Sequence, residues 1–482
     1  MHKRLALILF ALTSFDGSVS ADIVYYRIPG TKVAVSLQGD VNFNPGGTVT
    51  FQHGLGKLYM SASDLVQRHK VSPLPTVAAQ KLGKAKDAES AMEAARWALK
   101  HGLLDQFYRA VIKALEYDPQ HADANRVRDL KRKGSVDLGP STNEESQLRK
   151  VVRRPEMKIK TSRHFILLYD TPDTPPKPVS SQARQQPPRA EARLELLEKV
   201  YEVFLMKFYS QGAEIQIPNE RLMVVLFNDH SDYLAFATSI SPELSSAIGF
   251  YDPRSNISFF FDHGSSEYMK PIRDLSQQLQ AGIADAIKRK DGNYRRFAET
   301  ISLLVEIDRE NSDIEVVSHE ATHQLAGNTG LLPRHVLNPS WVHEGLATYF
   351  EAPGEATWSG MGAVNERRIG WYRELANDRE HSSLDFIVGD QIFKYAGSHG
   401  AILHGYGQAW ALTHFLLERH FDEFLRFYQR LGEMPPDVTL SPAILNKLFD
   451  DCFQTERTVL EQEWKSYMRS LKTDMEIILS GG

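Results

Sequence analysis

The chain contains one short stretch whose residue types suggest metal chemistry, His319-Glu320-Ala321-Thr322-His323. It matches the His-Glu-x-x-His pattern, in which side chains four residues apart on an α-helix project from one face about 6 Å from each other. Two imidazoles at this spacing can share one ion. A hydrolytic zinc site takes three protein ligands so that its fourth position holds water. The stretch therefore predicts a zinc site with a third ligand elsewhere in the chain.

The third ligand is predicted on a second helix, which Asn338 caps and which has Pro339 at its first position. Glu344 lies on this helix, 21 positions after His323. Glu344 is therefore a candidate to complete the ligand set with His319 and His323, which is the role that the family resemblance given below implies for it.

Two neighbours of Glu344 are rival ligands. His343 leaves the helix about 100° around the axis from Glu344, and Glu351 lies two turns further along the Glu344 face. Glu351 is better explained as a side chain that supports a ligand, or as a solvated charge. A non-metal alternative also stands: the two motif histidines could be buried, hydrogen-bonded helix residues, with Glu344 paired to a surface base.

The helix that carries the motif needs a start, an end and an apolar face. Ser312 and Asp313 are predicted to cap its amino terminus, and Gly327 is predicted to end it. The apolar face consists of four residues at helical spacing, Ile314, Val317, Ala321 and Leu325.

These motifs resemble the gluzincin group of zinc metallopeptidases, whose third ligand is the glutamate of an Asn-Glu-x-x-Ala or His-Glu-Gly-x-Ala stretch on the next helix. The stretch His343 to Ala347 matches the second form. A broader resemblance, to exported bacterial proteins of an uncharacterised domain-of-unknown-function family with a peptidase-MA-like domain, covers most of the mature chain. It rests on three segments, Lys158 to Phe261, Glu320 to Gln324 and Tyr406 to Trp410.

The resemblance implies one Zn²⁺ per chain and a role for two further residues. Glu320, between the histidines, takes a proton from the attacking water and later protonates the leaving amine. Gluzincins of the aminopeptidase sort stabilise the oxyanion with a tyrosine at the start of a later helix, and Tyr406 is the matching residue. The lysine-glycine pair that follows this tyrosine in the family is absent here. Tyr395 and His404 are possible substitutes, and Tyr406 could instead serve packing alone.

Other candidate residues carry weaker patterns. Four histidines have no ligand-like spacing and are predicted to be structural or exposed: His230, His263, His414 and His420. The strand-like run Ile257 to Phe261 is predicted either to be the sheet edge that pairs with an extended substrate or to place its three phenylalanines in the core.

Composition and charge exclude several classes of protein. Hydrophobic residues make up 42% and charged residues 24% of 482, which is typical of globular rather than disordered or membrane-embedded chains. A net charge of -5 gives no field that would favour nucleic acid or anionic lipid. Composition and charge therefore predict no nucleic-acid partner and no membrane-spanning segment in the mature protein, and the resemblance implies a peptide or protein substrate.

The first 21 residues have the features of a signal peptide. His2, Lys3 and Arg4 precede the apolar run Leu5 to Leu12, and small residues precede the predicted cleavage after Ala21. Cys452 is the only cysteine, so no intramolecular disulfide can form. These features predict an exported protein, periplasmic or extracellular.

The predicted fold class is α+β, with a zincin-like catalytic domain and a helical carboxy-terminal subdomain that completes the active site. The run Ala110 to Pro119 resembles the second helix of a tetratricopeptide repeat and could bind a protein partner, although packing on a neighbouring domain is favoured. The predicted segments are a signal peptide (1–21), a small β unit (22–75), a helical repeat-like region (76–135), a linker (136–157), the catalytic domain (158–352) and the helical subdomain (353–482).

The leading prediction is a zinc metallopeptidase, because a structural zinc site has no use for Glu320. The alternatives are an exported binding or scaffold protein with a vestigial metal site, and a zinc hydrolase that acts on a bond other than a peptide.

Overall fold

A computed structural model describes residues 22–45, 47–134, 137–176, 185–351, 353–354, 357–473 and 476–477. Helices and two five-stranded sheets make up an α+β architecture, which confirms the predicted fold class. The predicted signal peptide, residues 1–21, lies outside the described residues. None of the described helices is both long enough and apolar enough to cross a membrane.

The first sheet is built from an amino-terminal run of strands that alternate buried and exposed side chains. Its strands are β1 (Asp22–Arg27), β2 (Ala34–Phe43), β3 (Thr48–His53), β4 (Gly56–Ser61) and β5 (Leu65–Lys70). They lie in the order β4-β3-β2-β1-β5, and each neighbouring pair is antiparallel. Val24 and Tyr26 of β1 point into a small core that is completed by Leu303 and Ile307 from a distant helix.

Five helices follow the first sheet. They are α1 (Leu74–Gly83), α2 (Ala88–Lys100), α3 (Leu104–Tyr117), α4 (Ala122–Lys133) and α5 (Thr142–Val152). The alanine-rich faces of α2 and α3 pack against each other and share one hydrophobic core with the helices of the carboxy-terminal part. Helix α5 occupies half of the segment predicted as a linker, because Leu148 and Val152 are buried against the second sheet.

The second sheet is mixed and lies beside the candidate site. Its strands are β6 (Lys158–Thr161), β7 (Phe165–Tyr169), β8 (Leu222–Phe227), β9 (Phe250–Asp252) and β10 (Ile257–Phe261). The order is β6-β7-β8-β10-β9, in which β7, β8 and β10 are parallel and the two outer strands are antiparallel to their neighbours.

The prediction that Ile257 to Phe261 forms the sheet edge is wrong, because β9 covers that side of β10. The three phenylalanines of β10 are instead fully buried, as the alternative prediction held. Both faces of the central strands are covered by helices, so these strands read as continuous apolar runs. The short strand β9 is the edge on the side of the candidate site.

The remaining helices and a two-stranded ribbon form the rest of the molecule. The helices are α6 (Arg189–Ser210), α7 (His230–Ile240), α8 (Lys270–Lys288), α9 (Gly292–Asn328), α10 (Ser340–Phe350), α11 (Glu366–Leu375), α12 (Leu384–Val388), α13 (Ile392–Ser398), α14 (Ile402–Arg419), α15 (Phe421–Gly432), α16 (Pro442–Cys452) and α17 (Arg457–Ser470). The ribbon consists of β11 (Pro353–Gly354) and β12 (Thr357–Trp358). Helices α10, α11 and α14 pack on one another around the candidate site.

The motif helix α9 is longer than predicted. Its cap is Asp291, whose side chain accepts a hydrogen bond from the Tyr294 backbone, so the predicted start at Ser312 and Asp313 is wrong. Asp313 lies inside the helix because buried arginines of two helices hold its carboxylate. The helix continues through Gly327 and ends at Asn328, and Gly330 supplies the left-handed conformation after it.

A buried network of charges fixes α9 against α6 and the turn after β10. Arg193 of α6 forms ion pairs with Asp313 and, at 3.1 Å, with Glu310. The imidazole Nδ1 of His263 lies 2.7 Å from Asp313 Oδ1. Burial would raise the pKa of Asp313, but Arg193 and His263 hold it well below its usual range. His263 is therefore buried and structural.

Helix α10 begins one residue later than predicted. Pro339 occupies the capping position in extended conformation, and the helix starts at Ser340. Asn338 does not cap the helix: its side-chain oxygen accepts no hydrogen bond from the described residues, and its amide nitrogen donates to the carbonyl of Val336 at 3.2 Å.

Candidate metal centre

Three side chains from two helices converge on one point. His319 Nε2 lies 3.0 Å from His323 Nε2 and 3.1 Å from Glu344 Oε2, and His323 Nε2 lies 3.8 Å from the same oxygen. One ligand atom from each residue falls within 4.8 Å of the others. The three side chains are largely buried, with 12%, 15% and 16% of their surface exposed. This group could hold a metal ion.

The chemistry of the donor set fits a cation. Glu344 Oε2 is buried and has no hydrogen bond of suitable geometry, although it lies close to His319. Burial would raise the pKa of Glu344, but the surrounding histidines hold it well below its usual range, so the carboxylate is charged. Two imidazole nitrogens and one carboxylate oxygen, directed at a common space, are the ligand types that zinc accepts.

The other nitrogen of His319 is held by a buried carboxylate. Nδ1 lies 2.5 Å from Glu351 Oε1, and the Glu351 side chain is 1% exposed. Burial would raise the pKa of Glu351, but Arg368 and His319 lower it, so the carboxylate is an acceptor only. Nδ1 therefore carries a proton, and Nε2, which faces His323 and Glu344, is the nitrogen that would ligate a metal ion. The structure places Glu351 behind the ligand group rather than in solvent.

Glu320 lies on the same helix between the two histidines and is buried. Burial raises its pKa to about 7, with a further increase from Glu344 and an opposing effect of His319. A cation held by the ligand group would lower this pKa again, because it adds a nearby positive charge. The carboxylate form that such a cation favours is the form in which a general base accepts a proton.

The sheet positions the motif helix through one glutamine. The side-chain amide of Gln324, next to His323, donates to the carbonyls of Met223 and Asn256, both at 3.0 Å. Its carbonyl accepts a hydrogen bond from Ser258 at 3.3 Å. Since these partners lie on or beside β8 and β10, the rotation of α9 about its axis is fixed at the ligand position.

Two glycines allow the helices of the site to approach closely. A Cβ atom on Gly345, the residue after Glu344, would lie 2.1 Å from Thr413 Oγ1 and 2.7 Å from the Ala409 carbonyl on α14. A Cβ atom on Gly407, the residue after Tyr406, would lie 2.7 Å from the backbone nitrogen of Tyr372 on α11. Each glycine thus places a neighbouring functional side chain near the centre of the bundle.

Tyr406 lies beside the ligand group. Its ring centroid is 6.4 Å from that of His319, and Phe393 packs edge-on against it at 5.2 Å. Glu344 and burial raise its pKa well above the usual range, so the phenol stays protonated and can donate a hydrogen bond. Helix α14 begins at Ile402, so Tyr406 lies in its second turn rather than at its start.

The two substitutes for Tyr406 have other partners. Tyr395 stacks on His381 with 3.7 Å between centroids, and His404 Nε2 lies 2.8 Å from Glu374. The rival ligand His343 lies beside the group, with its ring 5.4 Å from that of His323, and its Nδ1 is 3.3 Å from the second oxygen of Glu344.

The remaining histidines lie outside the ligand group. His230 packs on Phe261, His414 is buried against the Gly362 carbonyl, and His420 lies 3.4 Å from Glu463. Among the residues that the structure describes, only His319, His323 and Glu344 form a group suited to a metal ion.

The residue that sequence analysis missed is Arg368. Its guanidinium forms two-pronged hydrogen bonds with Glu351 and a further bond with Glu315 at 3.1 Å. Only the cap at Asn365, which predicts a helix start, could have drawn attention to this region. Nothing in the sequence distinguishes Arg368 from its neighbour Arg367.

Comparison with known proteins gives one match. A family model described as a protein of unknown function, DUF1570, matches residues 313–437. That segment contains every residue of the site described above: Glu315, His319, Glu320, His323, Glu344, Glu351, Arg368 and Tyr406. The match agrees with the resemblance to an uncharacterised domain-of-unknown-function family. The searches of curated proteins and of solved structures returned no match.

Proposed function

We propose that this protein is a zinc-dependent metallopeptidase of the gluzincin type, with one Zn²⁺ per chain held by His319, His323 and Glu344. The observation that carries the proposal is the position of Glu320, which is buried on the motif helix beside three converging ligand atoms. A site that only holds a metal for structure needs no such carboxylate. When bound, the ion supplies Lewis-acid chemistry and makes a water molecule acidic.

The residues of the chain perform the proton transfers. Glu320 takes a proton from the attacking water and delivers it to the nitrogen of the leaving amine. Its burial suits the delivery step, because burial raises the pKa of the carboxyl, while the nearby cation favours the carboxylate that accepts the proton in the first step. Tyr406 donates its phenolic hydrogen to the oxygen of the scissile carbonyl as negative charge develops there.

The substrate we propose is a peptide or protein, hydrolysed outside the cytoplasm, in the periplasm or the extracellular space. This location rests on the amino-terminal sequence pattern described above. An extended chain could add to the short edge strand β9, whose preceding residue Gly249 packs against the motif helix. A Cβ atom on Gly249 would lie 2.3 Å from Val316 and 3.5 Å from Glu320.

The test combines metal content with hydrolysis of casein and a peptide library. The mature protein, Glu320→Gln and His323→Ala are compared with two controls at exposed positions, Glu267→Gln and His399→Ala. We expect about one zinc per chain and cleavage in the native protein and both controls. Glu320→Gln keeps zinc and loses cleavage, and His323→Ala loses both.

Two results would overturn the proposal. A native protein that binds no zinc would remove the metal centre. Zinc binding without cleavage of any peptide would favour the alternatives, a binding or scaffold protein or a hydrolase of another bond.

A further inference from the structure

Arg368 lies on neither of the two helices that carry the ligands, yet its guanidinium binds Glu351, the carboxylate that contacts His319. It is the third residue of α11, and its side chain is 8% exposed. Nε donates to Glu351 Oε2 at 2.9 Å, and Nη2 donates to Oε1 at 2.9 Å and to Oε2 at 2.6 Å. The carboxylate of Glu351 is thus held at both oxygens.

The same carboxylate determines the orientation of His319. Oε1 of Glu351 accepts from His319 Nδ1 and from Arg368 Nη2 together. A carboxylate that is held at both oxygens cannot rotate away from the imidazole without breaking its bonds to the arginine. The ring of His319 is therefore fixed through two successive contacts that start at Arg368.

The face of the guanidinium lies against two aromatic rings. Its carbon atom lies 5.3 Å from the ring centroid of Tyr406 and 5.0 Å from that of Trp371. A planar guanidinium can stack on a ring while its edge binds a carboxylate, and the compact ammonium of a lysine cannot do both.

We propose that Arg368 is a positioning residue of the metal centre, which orients His319 through Glu351 and is itself held in place by the ring of Tyr406. The inference rests on the proposed metal centre but is independent of peptide cleavage. The side-chain hydrogen bonds of Arg368 go to Glu351 and Glu315 and not to the ligand atoms, so its effect on His319 passes through Glu351.

The test measures zinc affinity of the full mature chain by competition with a chromogenic chelator. Arg368→Gln is expected to bind zinc about tenfold more weakly or worse, which is the usual effect of removing a partner behind a ligand. Arg367→Gln is the matched control, because Arg367 is 57% exposed and its one ion pair among the described residues is with Glu315. This control is expected to stay within twofold of the native protein.

Four further variants identify the route of the effect. Arg368→Lys keeps the charge but is expected to lose at least threefold in affinity, because it cannot hold both oxygens. In the Glu351→Gln background, Arg368→Gln is expected to add less than twofold. Tyr406→Phe keeps the ring and is expected to match the native affinity, whereas Tyr406→Ala is expected to lose threefold or more.

The outcomes separate this inference from the proposed function. Circular dichroism of the metal-free proteins shows which variants are folded, and Arg368→Lys decides the matter if Arg368→Gln is not. Native-like affinity in Arg368→Lys, or an additive effect of the double variant, overturns the inference and leaves the proposed function standing. If the native protein binds zinc but cleaves no peptide, weaker zinc binding by Arg368→Gln supports the inference and not the proposed function. A native protein without zinc affinity overturns both.

Discussion

Glu351 Oε1 lies 2.5 Å from His319 Nδ1 and belongs to a side chain that is almost completely buried. Glu351 therefore binds a histidine whose other ring nitrogen, Nε2, faces the ligand atoms of His323 and Glu344. Such a carboxylate holds the imidazole in the orientation needed for metal binding before a metal is bound. We therefore expect Glu351 to affect how much metal binding raises the stability of the fold.

Metal removal is expected to lower the melting temperature. A ligand that binds only the folded state at 100 times its Kd stabilises that state by about 2.7 kcal/mol. Zinc is therefore expected to raise the melting temperature of chelator-treated protein by several degrees, as measured by scanning calorimetry. In Glu351→Gln the increase at the same zinc concentration should be smaller. An equal increase in His323→Ala would show that zinc binds elsewhere.

Substitution of the glycine after the third ligand is expected to destabilise the fold. In Gly345→Ala the new methyl group meets Thr413 and the Ala409 carbonyl, so α10 and α14 must separate. Overpacking of this kind costs about 1–3 kcal/mol in the free energy of unfolding, which denaturant titration measures. The control is Gly370→Ala on α11, where a Cβ atom meets nothing within 4 Å. That variant should be neutral or slightly more stable. Equal effects at the two positions would contradict the packing argument.

Tyr406→Phe is expected to lower kcat about 10²-fold or more and to leave KM nearly unchanged. The physical reason is that the phenol donates only to the oxygen on which charge develops, so its loss affects the transition state more than substrate binding. Steady-state kinetics on a peptide substrate provide the measurement. A decrease of less than twofold would assign Tyr406 to packing alone.

Acid stability is expected to depend on Glu418. This residue accepts hydrogen bonds from Lys100 at 2.8 Å and from Tyr349 at 2.6 Å, which joins α14 to α2 and α10. Burial would raise its pKa, but Lys100 and Lys207 lower it to about 2. A depressed pKa contributes stability above the unfolded pKa, about 4.3, and this contribution is lost as the pH falls towards 2.

Glu418→Gln should therefore reduce the free energy of unfolding by roughly 2 kcal/mol at pH 7, and the difference from the native protein should shrink between pH 4.5 and pH 2. Denaturant titrations at several pH values test both statements. The exposed pair of Glu433 and Arg430 provides a control, because Glu433→Gln should change stability by less than about 1 kcal/mol at any pH. A difference that is independent of pH would contradict the assignment to the Glu418 charge.

The ligand group was predictable from sequence because its geometry is local. Histidines four apart on a helix must share a face, and the short interval to Glu344 limits where the next helix can place a carboxylate. The fold class was predictable for a similar reason, since periodicity distinguishes strands such as β8 from helices such as α10.

The features that were predicted wrongly, left open or missed from the sequence depend on contacts between distant segments. Asp313 resembles a cap, but Arg193, more than a hundred residues earlier, holds it inside α9. The run Ile257 to Phe261 resembles an edge or a core strand equally well, and only the sheet order decides between them. Arg368 was missed because its importance comes from Glu351, the residue that directly follows a different helix, α10.

Because α9 is long, it contributes both to the core of the amino-terminal sheet and to the candidate metal centre. The core of the amino-terminal sheet stays incomplete until Leu303 and Ile307 are present, and both lie on the helix that also bears His319 and His323. During synthesis, the core of this sheet can therefore be completed only after a helix much later in the chain has been made, and this single helical rod joins two sites that lie about 24 Å apart along it. We expect the sheet and the metal centre to form as one cooperative unit. A fragment restricted to residues 313–437 would cut this rod in the middle and should not fold independently.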